Sequence, residues 1–209
     1  QFPRTHIDAL VHNAGVLPSE RILSPQGFEQ CFACNVLGPY ALTQHLRPML
    51  SEKSRIVFVS SGGMYPTRLS LSLLENPKTP YSGLQAYSMT KRAQVVLAEL
   101  WQQSLPSSVY SMHPGWADTP AVRTSIPRFY RSTQNILRTP EQGADTLFYL
   151  LANDSPPPAG FYFDRKIQNP YPLPFTKESP QTRRELLPLL HRYIDAHASS
   201  SPREAQSKK

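Results

Sequence analysis

The chain has 209 residues, 39% hydrophobic and 18% charged, enough for one well-buried domain and short for two. Its formal charge of +7 lies in small clusters (Arg123/Arg128/Arg131, Arg165/Lys166, Arg183/Arg184, Lys208/Lys209), not in one run. This reads as scattered surface charge with no nucleic-acid signature, and no apolar stretch reaches the ~18 residues that a membrane span needs.

In chain order, residues 7–12 (IDALVH) read as a buried strand that ends in the tight turn Asn13–Ala14–Gly15. Ser24–Pro25 reads as a helix start, serine as cap and proline in the first position. Its apolar face runs through Phe28, Phe32, Val36, Tyr40 and Leu46, and Gly38–Pro39 should bend it or mark close packing. Cys31 and Cys34 form a CxxC on this helix, but no second CxxC or CxxxH accompanies it. They read as two thiols in a reduced compartment and no metal site is expected.

Residues 55–60 (RIVFVS) are the clearest strand. Residues 62–83 read as a long loop with one short helical turn near 69–74. A strong helix follows over 84–103, where Ala86, Ala93, Val96, Leu97 and Leu100 repeat at helical spacing. Residues 108–113 (SVYSMH) make a third strand, closed by Pro114–Gly115. Thr139 caps a helix reaching about Ala152, and residues 160–163 (GFYF) are a last short strand. A proline-rich strap and terminal helix occupy 166–197, and 198–209 reads as a disordered tail. Alternating strands and helices argue for a parallel α/β sheet with right-handed crossovers.

Tyr87 and Lys91 lie four residues apart on one helix face. A tyrosine titrates near ~10 in water, and a cation within ~4–6 Å favours its phenolate. A shift of ~2–3 units corresponds to roughly 3–4 kcal/mol and would let Tyr87 exchange a proton with a carbonyl or alcohol oxygen. Alone, this spacing is weak. Around it stand His12–Asn13–Ala14–Gly15 after a strand, Asn35 on a helix, Ser60–Ser61 at a strand end, and Pro114–Gly115 followed by Thr119.

This ordered set resembles the short-chain dehydrogenase/reductase family over about residues 7–165. The 26-residue step from Ser61 to Tyr87 resembles the branch that contains retinol dehydrogenase-like enzymes. The resemblance implies a Rossmann-like, doubly wound parallel sheet with helices on both faces, and a dehydrogenase domain over 1–165. It implies that Tyr87 is the acid/base, that Lys91 tunes it and holds the nicotinamide ribose, and that Ser61 rather than Ser60 bonds the substrate oxygen. Asn35 would hold a water in a proton relay, or would simply bond neighbouring backbone. Asn13, Ala14, Gly15, Pro114, Gly115 and Thr119 would border the cofactor. His12 stands where the family's turn has its first asparagine.

The implied reaction is hydride transfer between NADP or NAD (NADP slightly favoured) and a carbonyl/alcohol substrate of lipophilic character. A homo-oligomer is compatible with the resemblance, and a cytoplasmic location is favoured. The family's TGxxxGxG turn is not among these residues. The sheet is therefore expected to be incomplete, from strand 4 onward, in an amino-terminally truncated chain that is inactive by itself. The rival expectation is a non-catalytic isoform with a binding or regulatory role.

Overall fold

The computed structural model describes residues 6–118, 123 and 127–200. Strands β1 (Ala9–His12), β2 (Arg55–Val59), β3 (Ser108–Met112) and β4 (Gly160–Phe163) run parallel in that order, and β5 (Lys166–Ile167) returns antiparallel along β4. Alternation along the strands sends side chains to two cores. Ile56, Phe58 and Val109 enter one, while Val57, Val59, Tyr110 and Met112 enter the other. Both faces are therefore covered, and the architecture is Rossmann-like α/β. β1 departs from the expected buried strand: only His12 is fully buried in it, because among the described residues β1 pairs on one side only.

The helix expected from Ser24–Pro25 begins later, at α1 (Gln30–Phe32). Glu29 is its cap, accepting from the backbone N–H of Cys31 and Phe32 at 2.9 Å each. Ser24 and Pro25 instead enter a reversal closed by Gly27, whose φ of 83° is left-handed, with Ser24 and Phe28 bonded across it. A π-helical turn, Ala33–Leu37, then leads into α2 (Gly38–Leu46). The irregularity expected at Gly38–Pro39 thus takes the form of a widened turn directly before it.

α3 (Leu71–Glu75) is capped by Ser70, and α4 (Gly83–Gln102) by Ser82. α4 carries the expected apolar residues into the first core, but Lys91, Arg92 and Gln94 are buried as well. The first core is extended by α7 (Pro180–Ser200), whose Leu186 and Leu190 join it. α5 (Pro127–Thr133) precedes α6 (Pro140–Ala152), which covers the second core through Leu150. The Thr139 cap of α6 is reciprocal with Gln142. The Arg55 guanidinium donates to the last carbonyls of α6, those of Leu150 and Leu151, at 3.0 and 2.8 Å, where a cation is favoured.

α4 meets the loop after β1 almost backbone to backbone. A Cβ on Gly83 would lie 1.9 Å from the Pro18 carbonyl oxygen, a distance no side chain tolerates. Gly83→Ala should therefore destabilise the chain by about 1–3 kcal/mol, the usual scale of overpacking. In thermal unfolding this is a loss of several degrees, at about 2–4 °C per kcal/mol for a chain of this size; an unchanged midpoint would refute the close approach.

Candidate active site

The carboxyl ends of β1, β2 and β3 open into one cavity of about 530 Å³, where ligands of open α/β sheets usually bind. Asn13, Gly15, Ser61, Tyr87, Lys91 and Gly115 line it together, with Pro114 beside them. Ala14 belongs to the same turn as Asn13 but is exposed and outside the lining. Asn35 is fully buried behind the cavity. Thr119 lies outside the described residues.

The two strand-end serines have different duties. Ser60 is buried and donates to the Lys91 backbone carbonyl at 2.9 Å, pinning α4 to β2. Ser61 borders the cavity, is close enough to the Tyr87 hydroxyl to favour its phenolate, and accepts from Gly63 N–H at 3.3 Å. Both serines line the cavity, but the Ser60 hydroxyl is engaged by the Lys91 carbonyl, whereas Ser61 acts on the phenol.

Lys91 is 3% exposed. Its ammonium donates to the Val59 carbonyl at 2.8 Å and to the Gln94 side-chain carbonyl at 3.2 Å. It stands 5.5 Å from the centre of the Tyr87 ring. Burial lowers its pKa to about 8, and the thiols of Cys34 and Cys31 oppose that shift. Burial also raises the Tyr87 phenol above its ordinary value, with the Ser61 hydrogen bond pulling the other way. The expected depression of Tyr87 by its lysine is therefore absent in this geometry, because desolvation dominates and the ammonium is engaged elsewhere.

Asn35 is a clamp. Its side chain accepts from Val16 N–H at 2.8 Å, donates to Val16 carbonyl at 3.0 Å, and donates to Thr90 Oγ1 at 3.0 Å. Its backbone carbonyl accepts from Gln94 at 2.7 Å. Gly15 lies against the same group: a Cβ there would sit 3.3 Å from Lys91 Nζ. Cys31 packs with its thiol on the Val16 carbonyl at 3.4 Å and its pKa pushed up to about 12, chiefly by burial. It is an inert core thiol.

Residues 3–128 match the model of the short chain dehydrogenase family. The chain belongs to that family. It is 39% identical over 197 residues to dehydrogenase/reductase SDR family member 12 of Homo sapiens and, over the same length, of Bos taurus, covering 90% of this chain and 62% of each relative. It is 34% identical over 148 residues to human retinol dehydrogenase 11, covering 68% of this chain and 46% of that protein. A crystal structure of an uncharacterized protein from Mycobacterium paratuberculosis superposes with a TM-score of 0.58 at 27% identity, over 76% of this chain and 55% of that one. The chain thus spans about three fifths of the length of these member 12 relatives.

Within the short-chain dehydrogenase frame, several cavity residues were not read from the sequence: Val16, Leu17, Leu84, Trp116 and Leu137. They are apolar residues of loops and of a helix start, which carry no periodic signal. Gln94 was missed too, although it lies three residues beyond Lys91 on the same helix.

Two histidines border this region. His12 bonds Thr43 Oγ1 at 2.8 Å, and His113 Nδ1 accepts from Gly115 N–H at 3.2 Å while its ring stacks on Phe163. Burial lowers both to about 4; for His113 the Arg138 charge adds to the shift. Above the unfolded value near ~6.5 both states are neutral, and the shifts cost nothing. Between about 6.5 and 4 the unfolded chain takes up protons that the folded chain refuses, so stability falls as pH falls, by up to roughly 3 kcal/mol per ring. Urea midpoints should therefore drop between pH 7.5 and 4.5; a flat profile would mean that both rings protonate in place.

Proposed function

We propose that this chain supplies the catalytic face of an NAD(P)-dependent oxidoreductase that interconverts a lipophilic ketone or aldehyde and its alcohol. The observation that carries the reading is the meeting of Tyr87, Ser61 and Lys91 in one cavity at the carboxyl ends of three parallel strands. Membership of a family that binds NAD(P) supports the cofactor class.

The residues present suit the nicotinamide end of such a cofactor. Gly15 and Gly115 border the place where it would lie, Gly15 packed against Lys91 and Gly115, with a left-handed φ of 80°, packed against Arg138. Lys91 has three N–H donors and gives two of them to Val59 and Gln94, which leaves one for the ribose. A phosphate-binding glycine turn is not among the 209 residues, so the pyrophosphate end has no counterpart here.

When bound, the nicotinamide supplies or accepts the hydride. In the reducing direction the Tyr87 hydroxyl hands its proton to the substrate oxygen as the carbon gains hydride, and the product is the alcohol. Ser61 holds that oxygen within reach of Tyr87. The phenolate left behind lies with the Lys91 ammonium 5.5 Å from its ring centre and is reprotonated from solvent. Because burial keeps Tyr87 protonated, it is loaded as the acid. The apolar lining of Val16, Leu17, Leu84, Trp116 and Leu137 supports a lipophilic substrate, as does the similarity to retinol dehydrogenase 11.

The decisive experiment is calorimetric titration of NADPH, and separately NADH, into the chain, with a ketone-reduction assay on these residues joined to a glycine turn and Tyr87→Phe alongside. The expected result is micromolar binding by both forms and a loss of at least ~10²-fold in turnover for the variant. Turnover retained by Tyr87→Phe would remove Tyr87 as the acid. A folded chain that binds neither nucleotide would count against the cofactor reading of this cavity.

A further inference from the structure

Gln94 sits one helical turn beyond Lys91 on α4 and is fully buried. Its side-chain carbonyl accepts from Lys91 Nζ at 3.2 Å, and its NH₂ donates to the Asn35 backbone carbonyl at 2.7 Å. The second bond exists because of a gap in the neighbouring helix. The carbonyl of residue 35 would take the N–H of residue 39, and residue 39 is proline. The adjacent N–H of Gly38 goes to Ala33 in the π-helical turn. Asn35 lies within that widened turn, and Gln94 brings a side-chain donor to its buried carbonyl.

The two partners constrain what can stand between them. An ammonium only donates and a backbone carbonyl only accepts. A neutral amide of the right length serves both at once. A glutamate offers the carbonyl no donor, and an aliphatic residue serves neither.

We infer that Gln94 is a positioning residue for the proposed acid–base pair, fixing the Lys91 ammonium between β2 and the π-helical turn and so setting its place relative to Tyr87. The inference rests on reading Tyr87 and Lys91 as that pair. The groups facing Lys91 are the Val59 carbonyl from β2, Tyr87 and Gln94 from α4, Gly15 from the turn after β1, and the thiols of Cys31 and Cys34.

The test is NMR titration of the whole chain, following the Lys91 Cε signal and the Gln94 side-chain amide, with Lys91→Met to assign the former. In the wild-type chain the Gln94 amide should shift with the Lys91 midpoint. Gln94→Glu places a carboxylate against the ammonium and should raise that midpoint by about one unit or more, a tenfold gain in proton affinity. Gln94→Leu removes an acceptor of the charged form and should lower it. A Gln94 amide blind to Lys91 ionisation, or folded variants that both leave the midpoint unmoved, would overturn the inference; should neither variant fold, the wild-type titration decides alone. These readouts do not need turnover, so a Tyr87→Phe variant that kept its turnover would refute the proposed function and leave the Gln94 result intact. Where turnover is measured, its high-pH limb should move with the Lys91 midpoint in Gln94→Glu, and a limb that stayed put would count against the positioning role.

Discussion

An ammonium group inside a protein must be given acceptors, and Lys91 is the charge that this fold is arranged to feed. Desolvation of a cation costs several kcal/mol even after relaxation, and here it brings the pKa down to about 8. What offsets that cost comes from separate elements. Val59 offers the last carbonyl of β2, and Gln94 offers its amide from α4. Ser60, also at the end of β2, holds the backbone carbonyl of Lys91 itself. Only when strand and helix are docked in register does the cation have its partners. Assembly of the sheet and assembly of the candidate site are one event.

The π-helical turn extends this coupling to β1. Widening the helix at Ala33–Leu37, with proline at 39, frees the Asn35 carbonyl for Gln94. It also aims the Asn35 side chain at Val16, which it holds through both N–H and carbonyl. The same side chain donates to Thr90 Oγ1, and Thr90 donates in turn to the Tyr87 carbonyl. One asparagine thus fixes the loop after β1 against the helix turn that carries the tyrosine. From the sequence, Asn35 was either the holder of a relay water or a partner of neighbouring backbone; its side chain does bond the Val16 backbone, and its own carbonyl accepts from Gln94.

Legibility followed the kind of signal each residue carries. β2, β3 and β4 were readable because strands covered on both faces need unbroken β-favouring runs, and α6 because Thr139 and Gln142 form a reciprocal cap. Ser24–Pro25 misled, since the same residues suit a helix start and a turn; Gly27, two residues on, decided for the turn, and the acidic Glu29 took the cap. Tyr87 and Lys91 were visible as a spacing, whereas the choice of Ser61 over Ser60 came only from resemblance. In the structure both line the cavity, and the Ser60 hydroxyl is held by the Lys91 carbonyl. Gln94 and Arg92 were invisible for a common cause: a polar residue on a helix is ordinarily assigned to solvent, and nothing local says that another layer will cover it.

That covering layer explains why α4 carries two adjacent buried cations. Successive helix residues diverge by about 100°, so Lys91 faces the cavity and Arg92 faces away from it. The Arg92 guanidinium donates to the carbonyls of Met64, Thr67 and Pro170 at 2.9–3.0 Å and lies 4.7 Å from the centre of the Tyr171 ring. Met64 and Thr67 begin the long loop that leaves Ser61, and Pro170 belongs to the proline-rich strap. Tyr171 in turn donates to Glu178, which pairs with Arg183 at 2.7 Å. A planar fork with five donors can hold three carbonyls from two separate segments, and the three donors of a lysine, on one point, cannot match that spread. The loop leaving Ser61 and the strap that closes the fold are therefore hung from the residue next to Lys91. Any shift of α4 that disturbed Lys91 would strain both, which makes the orientation of this one helix the property that the rest of the chain is built to hold.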